Sequence, residues 1–144
     1  MKRLFALGVL VGSLVIGVTN VGAAGTVSAH LYRGHSSCST GATDTTGARY
    51  GTFTATTHSG SQVVNASITT DNLASFRTYN VSIYEFGHSC ILSQNVTSFT
   101  TDGGGKAIVH FQFWAHSGEH TAWAWIQHGT TNDIVKSTIV PINN

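Results

Sequence analysis

Past residue 29 the chain never sustains an apolar period of 3.6. Short runs rich in Val, Ile, Thr, Tyr, Phe and Trp recur instead, separated by Gly, Ser, Asn and Asp. That pattern predicts an antiparallel all-β domain. The runs place strands at about residues 30–33, 49–57, 62–69, 78–86, 94–101, 106–113, 121–128 and 134–141. Seven or eight short strands at this spacing predict a two-sheet antiparallel sandwich of immunoglobulin-like type.

Alternation assigns faces, because successive side chains of a strand point to opposite sides. Tyr79, Val81 and Ile83 form one apolar set, opposed by Asn80, Ser82 and Tyr84. Ala107, Val109, Phe111 and Phe113 form a second, opposed by Ile108, His110, Gln112 and Trp114. In 121–128 both faces are apolar, with Trp123 and Trp125 set against Ala122, Ala124 and Ile126. This strand is expected to be central, with both indoles in the core beside Val81, Ile83, Val109 and Phe111. Asp102-Gly103-Gly104-Gly105 reads as a hairpin turn, its glycines supplying positive φ. Segment 34–48 is a long Ser-, Thr- and Gly-rich loop without periodicity.

The first residues change the picture from a plain domain to an exported one. Lys2 and Arg3 precede an apolar run from Leu4 to Val18 that is short for a permanent membrane anchor. This is the charged and apolar layout of a signal peptide. Cleavage after Ala29 leaves a single domain, residues 30–144; Ala23 and Ala24 are alternative cleavage points. The 144-residue chain has seven Lys and Arg against six Asp and Glu. Without Lys2 and Arg3 the formal charge is near −1, which argues against nucleic acid and against electrostatic adhesion to anionic membranes. No second apolar segment follows, so no membrane span is expected after processing.

Charged residues are only 9% of the chain, yet it has eight histidines. The polar surface must therefore come from Ser, Thr, Asn, Gln and His. Below about pH 6 the imidazoles would take up protons and make the domain strongly positive. Cys38 and Cys90 lie in the exported part, where an oxidising compartment favours a disulfide over a metal thiolate pair. Closing that loop would stabilise the fold by roughly 4 kcal/mol in the chain-entropy view.

If consecutive strands alternate direction, His30, His58, His88, His116 and His120 fall at one end of the domain. Neutral imidazole is a common ligand for copper and zinc, so this end is the candidate metal site. An ion-poor surface also collects histidines in its loops without any metal. Cleavage after Ala29 would make His30 the N-terminus, offering its amine and its imidazole together. With a second histidine, that arrangement resembles the histidine brace of secreted copper-binding sandwiches and of lytic polysaccharide monooxygenases. The resemblance implies a nitrogen-only copper site at His30.

Catalytic signatures are lacking. No Gly-x-Ser-x-Gly elbow is present, and paired carboxylates could come only from Asp44, Asp71, Glu85, Asp102, Glu119 and Asp133. Glu119 lies within the His-bearing loop, where it is expected to be a solvated loop acid, or else a ligand or a partner to one. Trp114, Tyr84 and Phe86 are expected to face outward, where aromatics stack on sugars or pack on a partner. Asn65, Asn80 and Asn95 begin Asn-x-Ser/Thr triplets. The sequence thus predicts a small secreted, non-enzymatic β-sandwich acting through its surface, as an adhesive, envelope-associated or ligand-binding module. A secreted copper- or zinc-binding protein is the alternative.

Overall fold

A computed structural model describes residues 25–34, 45–87, 90–129 and 134–142, with residues 90–95 described as backbone. Every described element is a strand: β1 Gly25–Arg33, β2 Arg49–Thr57, β3 Val63–Thr70, β4 Thr78–Phe86, β5 Cys90–Thr100, β6 Ala107–Trp114, β7 Thr121–Gln127, β8 Ile134–Ser137 and β9 Val140–Pro141. Among the described residues no helix is long and apolar enough to cross a membrane.

The all-β, antiparallel expectation holds. The strands do not separate into two independently paired sheets, however. They join one hydrogen-bonded path, β5-β4-β7-β8-β1-β2-β3-β6, with β9 beside β7. The two ends of the path, β5 and β6, are joined by the 101–106 turn and lie against each other, so the sheet is nearly a closed barrel. The link between its halves is short, consisting of Leu31–Arg33 paired with Val135–Ser137. β1 begins five residues earlier than the sequence pattern suggested, because Gly25–Ala29 pair with Ala55–Thr57 and their neighbours on β2.

Alternation builds the interior. Leu31, Phe53, Ala55, Ile68, Tyr79, Val81 and Ile83 are fully buried and pack as one cluster. Phe113 is buried, while Val109 and Phe111 pack against the cluster half-buried, since β6 ends the strand path. Ile108, His110, Gln112 and Trp114 point outward, as expected.

The indoles of β7 are on the other side from the one expected. Ala122, Ala124 and Ile126 join the interior cluster, so Trp123 and Trp125 stand on the outer face. Small alanines suit an interior already filled by the side chains of β4, and the large rings find room outside. There the Tyr84 ring stacks on Trp123 at 5.6 Å and lies 5.1 Å from Trp125. The Lys136 ammonium of β8 sits 5.8 and 5.7 Å from the two indole centroids. Trp123 is nonetheless 0% exposed and Lys136 2%. Part of that cover is Gly34, whose backbone lies so close to the Lys136 stem that any β-carbon would overlap it. Burial pushes the Lys136 ammonium below its ordinary pKa and the Tyr84 phenol above its own.

At the lower end, loop 71–77 is tied to the β5–β6 turn. Leu73 and Phe76 donate backbone N–H bonds to Gly105 and Asp102, and Thr101 donates to the Ala74 carbonyl through its hydroxyl. These ties hold Phe76 at φ 53°, with its ring against Gly103 and 77% exposed. Asp102 Oδ1 accepts hydrogen bonds from the Lys106 and Gly104 amides at 2.9 and 2.8 Å. Those two bonds hold its carboxyl below the usual carboxylate range.

Phe53→Ala is expected to cost about 3–5 kcal/mol in urea unfolding, and Phe111→Ala distinctly less because its ring is only half-buried. Phe76→Gly should raise stability by about 1 kcal/mol, since glycine tolerates the left-handed backbone and little ring burial is lost. Asp102→Ala should lower the melting temperature at pH 7. Its carboxylate contributes stability above about pH 4 and loses it as pH falls through the depressed pKa, so the gap between variant and parent should close in acid.

Candidate functional site

The expected histidine end is partly assembled. His58 lies after β2, and His116 and His120 lie between β6 and β7, at the same end of the barrel. The Ala115 amide donates to the Gln62 carbonyl and joins these two connections. His30 is not with them. It sits in mid-β1, paired with Thr52, exposed, and edge-on to Tyr32 at 6.4 Å. Its predicted place depended on β1 beginning there, and β1 begins at Gly25. His88 and Cys38 lie outside the described residues, as does the side chain of Cys90. Among the described residues no group of three or more His, Cys, Asp or Glu could hold a metal ion.

What the loop does assemble is a buried acid site. His116-Ser117-Gly118-Glu119 is a turn closed by the Glu119 amide on the His116 carbonyl, with Gly118 at φ 87°. It folds over the end of β4, where Glu85 follows Tyr79, Val81 and Ile83 on the inward face. Glu85 is fully buried, and its Oε2 accepts the His116 amide at 2.8 Å with His116 Nδ1 at 3.1 Å. Glu119 is 2% exposed, and its Oε2 has no hydrogen-bond partner. That oxygen lies where a β-carbon on Gly87 would reach 3.0 Å from it. A buried carboxylate oxygen without a partner is costly unless a proton, water or cation completes it. Glu85 matters more than its sequence position suggested. The signal was available, since it is the next inward position after Ile83.

A second surface is larger and fully formed by described residues. The outer faces of β1, β2, β3 and β6 align in register. Thr26, Thr56, Asn65 and Gln112 form one cross-strand row. Ser28, Thr54, Ser67 and His110 form the next, and His30, Thr52, Thr69 and Ile108 the third. Val63 and Trp114 cap the array, with Trp114 59% exposed. No Lys, Arg, Asp or Glu stands in these rows. Thr26 and Thr56 hydroxyls meet at 2.9 Å, Ser28 and Thr54 at 3.0 Å, and Gln112 Nε2 donates to Asn65 Oδ1 at 2.7 Å. Between the rows lies a shallow depression of about 130 Å³ bounded by Thr54, Thr56, Asn65, Ala66, Ser67 and His110.

Comparison with known protein families, characterised proteins and solved structures finds no match to the chain. The reading of function therefore rests on these surfaces. Alternating Thr52, Thr54, Thr56 and Asn65, Ser67, Thr69 were visible as outward positions in the sequence. The register that stacks them into a continuous face was not.

Glu85→Ala should cost about 1–3 kcal/mol by leaving the His116 amide without its acceptor. The same variant should speed hydrogen exchange at that amide. Unchanged exchange would mean that the turn is held without Glu85.

Proposed function

We propose that the chain is a small secreted, non-enzymatic β protein that binds an extracellular ligand or surface through the three charge-free rows on the outer face of β1, β2, β3 and β6, which Arg33, Arg49 and Lys106 border at one end. The observation that carries this reading is the aligned array of hydroxyls and amides ending in exposed Trp114. An ordinary soluble surface interleaves charges, and a face without any is suited to contact with a neutral partner. Export rests on the signal-like N-terminus. Processing after Ala23 or Ala24 keeps β1 whole, whereas cleavage after Ala29 would remove Gly25–Ala29, five of the eight β1 residues that pair with β2, including buried Ala29. A Cys38–Cys90 disulfide belongs to the same reading. So does a flattened, sandwich-like cross-section of immunoglobulin type, in which two four-stranded halves face each other across the short β8–β1 link.

A second reading, a secreted copper- or zinc-binding protein, draws on one observation: His58, His116 and His120 share an end with the unpartnered Glu119 oxygen. Copper would exceed zinc at nitrogen donors. Titration of Cu(II) into the mature protein and a His116→Ala, His120→Ala variant separates the two readings. Equal affinity removes the loop from any metal site.

The leading reading predicts that the mature protein sediments with the cell-envelope fraction of its producing cells. Thr54→Lys with Ser67→Lys, placing two charges in the array, should leave the protein in the supernatant with its melting temperature little changed. Full retention of that variant would put the working surface elsewhere. N-terminal sequencing of the mature chain checks the cleavage point.

A further inference from the structure

We infer that the ligand of this face is a neutral polysaccharide chain, one sugar ring stacking on Trp114 and the adjoining units hydrogen-bonding across the depression beside Asn65 and Gln112. This rests on the reading of the face as the binding surface and adds the chemical class of the occupant.

The first argument is charge. A sulfated or carboxylated chain that docks must shed water from its anions, and the three rows have no Lys or Arg to replace that hydration; Lys106 stands beyond their Ile108 end, beside the acidic Asp102. A neutral polyol meets no such penalty. The second is hydrogen-bond capacity. Sugar hydroxyls both donate and accept, and they need partners that do the same. In each paired hydroxyl, Thr26 with Thr56 and Ser28 with Thr54, only one of the two hydrogens is used in the contact. The other remains to donate outward. The Gln112–Asn65 bond likewise fixes both amides while leaving Asn65 Nδ2 and Gln112 Oε1 without another partner among the described residues. Polar groups already held in place lose little side-chain freedom when a ligand binds.

The third argument is the aromatic. Trp114 is exposed on the same outward face, two residues along β6 from Gln112 and four from His110. At a strand rise of about 3.3 Å per residue, the distance from His110 to Trp114 is about 13 Å. Across the sheet, β6 to β2 spans about 10 Å at the usual strand spacing. The footprint is thus elongated and open at both ends, which suits a segment of a chain rather than a single sugar. An indole offers a flat apolar surface for the C–H face of a pyranose, and its flanking polar groups fix orientation. Among the described residues the exposed phenylalanines, Phe76 and Phe86, lie at barrel ends outside these rows.

The test is a depletion assay with the folded mature protein on microcrystalline cellulose, chitin, starch and soluble laminarin, with alginate and heparin as anionic controls. The expected result is saturable binding to at least one neutral polymer and none to the anionic pair. Trp114→Ala should weaken that binding at least tenfold and Gln112→Ala several-fold, while Phe76→Ala should match the parent. Circular dichroism verifies that each variant retains its strands. Undiminished binding by both Trp114→Ala and Gln112→Ala, or preference for the anionic polymers, would overturn the assignment. If no neutral polymer binds while the Thr54→Lys, Ser67→Lys variant still loses envelope retention, the glycan assignment falls and the face remains the binding surface.

Discussion

The backbone ladder through β8 is the constraint on which the rest of the structure depends. Four residues, Ile134–Ser137, pair with β7 on one side and β1 on the other. They turn two four-stranded groups into one path that nearly closes on itself. Near-closure brings β5 and β6, the two ends of the path, close to each other, although no backbone ladder joins them. The register across the face from β1 to β6 is set by the neighbouring β1–β2, β2–β3 and β3–β6 ladders. The interior cluster and the outer array are then two consequences of one set of pairings.

An ion-poor composition has different meanings in different parts of this sheet. On β4 and β7 the outer face is aromatic, and Tyr84, Trp123 and Trp125 gather around the buried Lys136. On β1, β2, β3 and β6 the outer face is hydroxyl and amide. The first is covered and adds a small second core outside the barrel. The second is open to solvent.

Polar groups taken out of water do the work of fastening loops. Glu85 holds the β6–β7 connection through His116, and Thr101 holds loop 71–77 through its hydroxyl. Each replaces apolar contact that a short turn cannot supply. The strained backbone of Phe76 is held by the same means, since its amide is bound to Asp102. Such ties are directional, so they also decide which side chains the loops display.

The sequence by itself determined most of the strands, their alternation and much of the core, but not the early start of β1 or the division of 134–141 into β8 and β9. Tyr79, Val81 and Ile83 face inward, and Trp114 outward, because a period of two leaves each residue one of two sides. The turn at Asp102 was equally legible, because glycine and aspartate act locally. Where both sides of a strand were apolar, alternation could not choose, and the indoles of β7 were assigned to the wrong face. That choice depended on the space left by β4 inside and on Tyr84 and Lys136 outside. The position of His30 and the hydroxyl array were likewise settled by register, while the inward place of Glu85 was legible but its partner His116 was not. Register joins residues far apart in the chain, and no local pattern encodes which strand lies beside which.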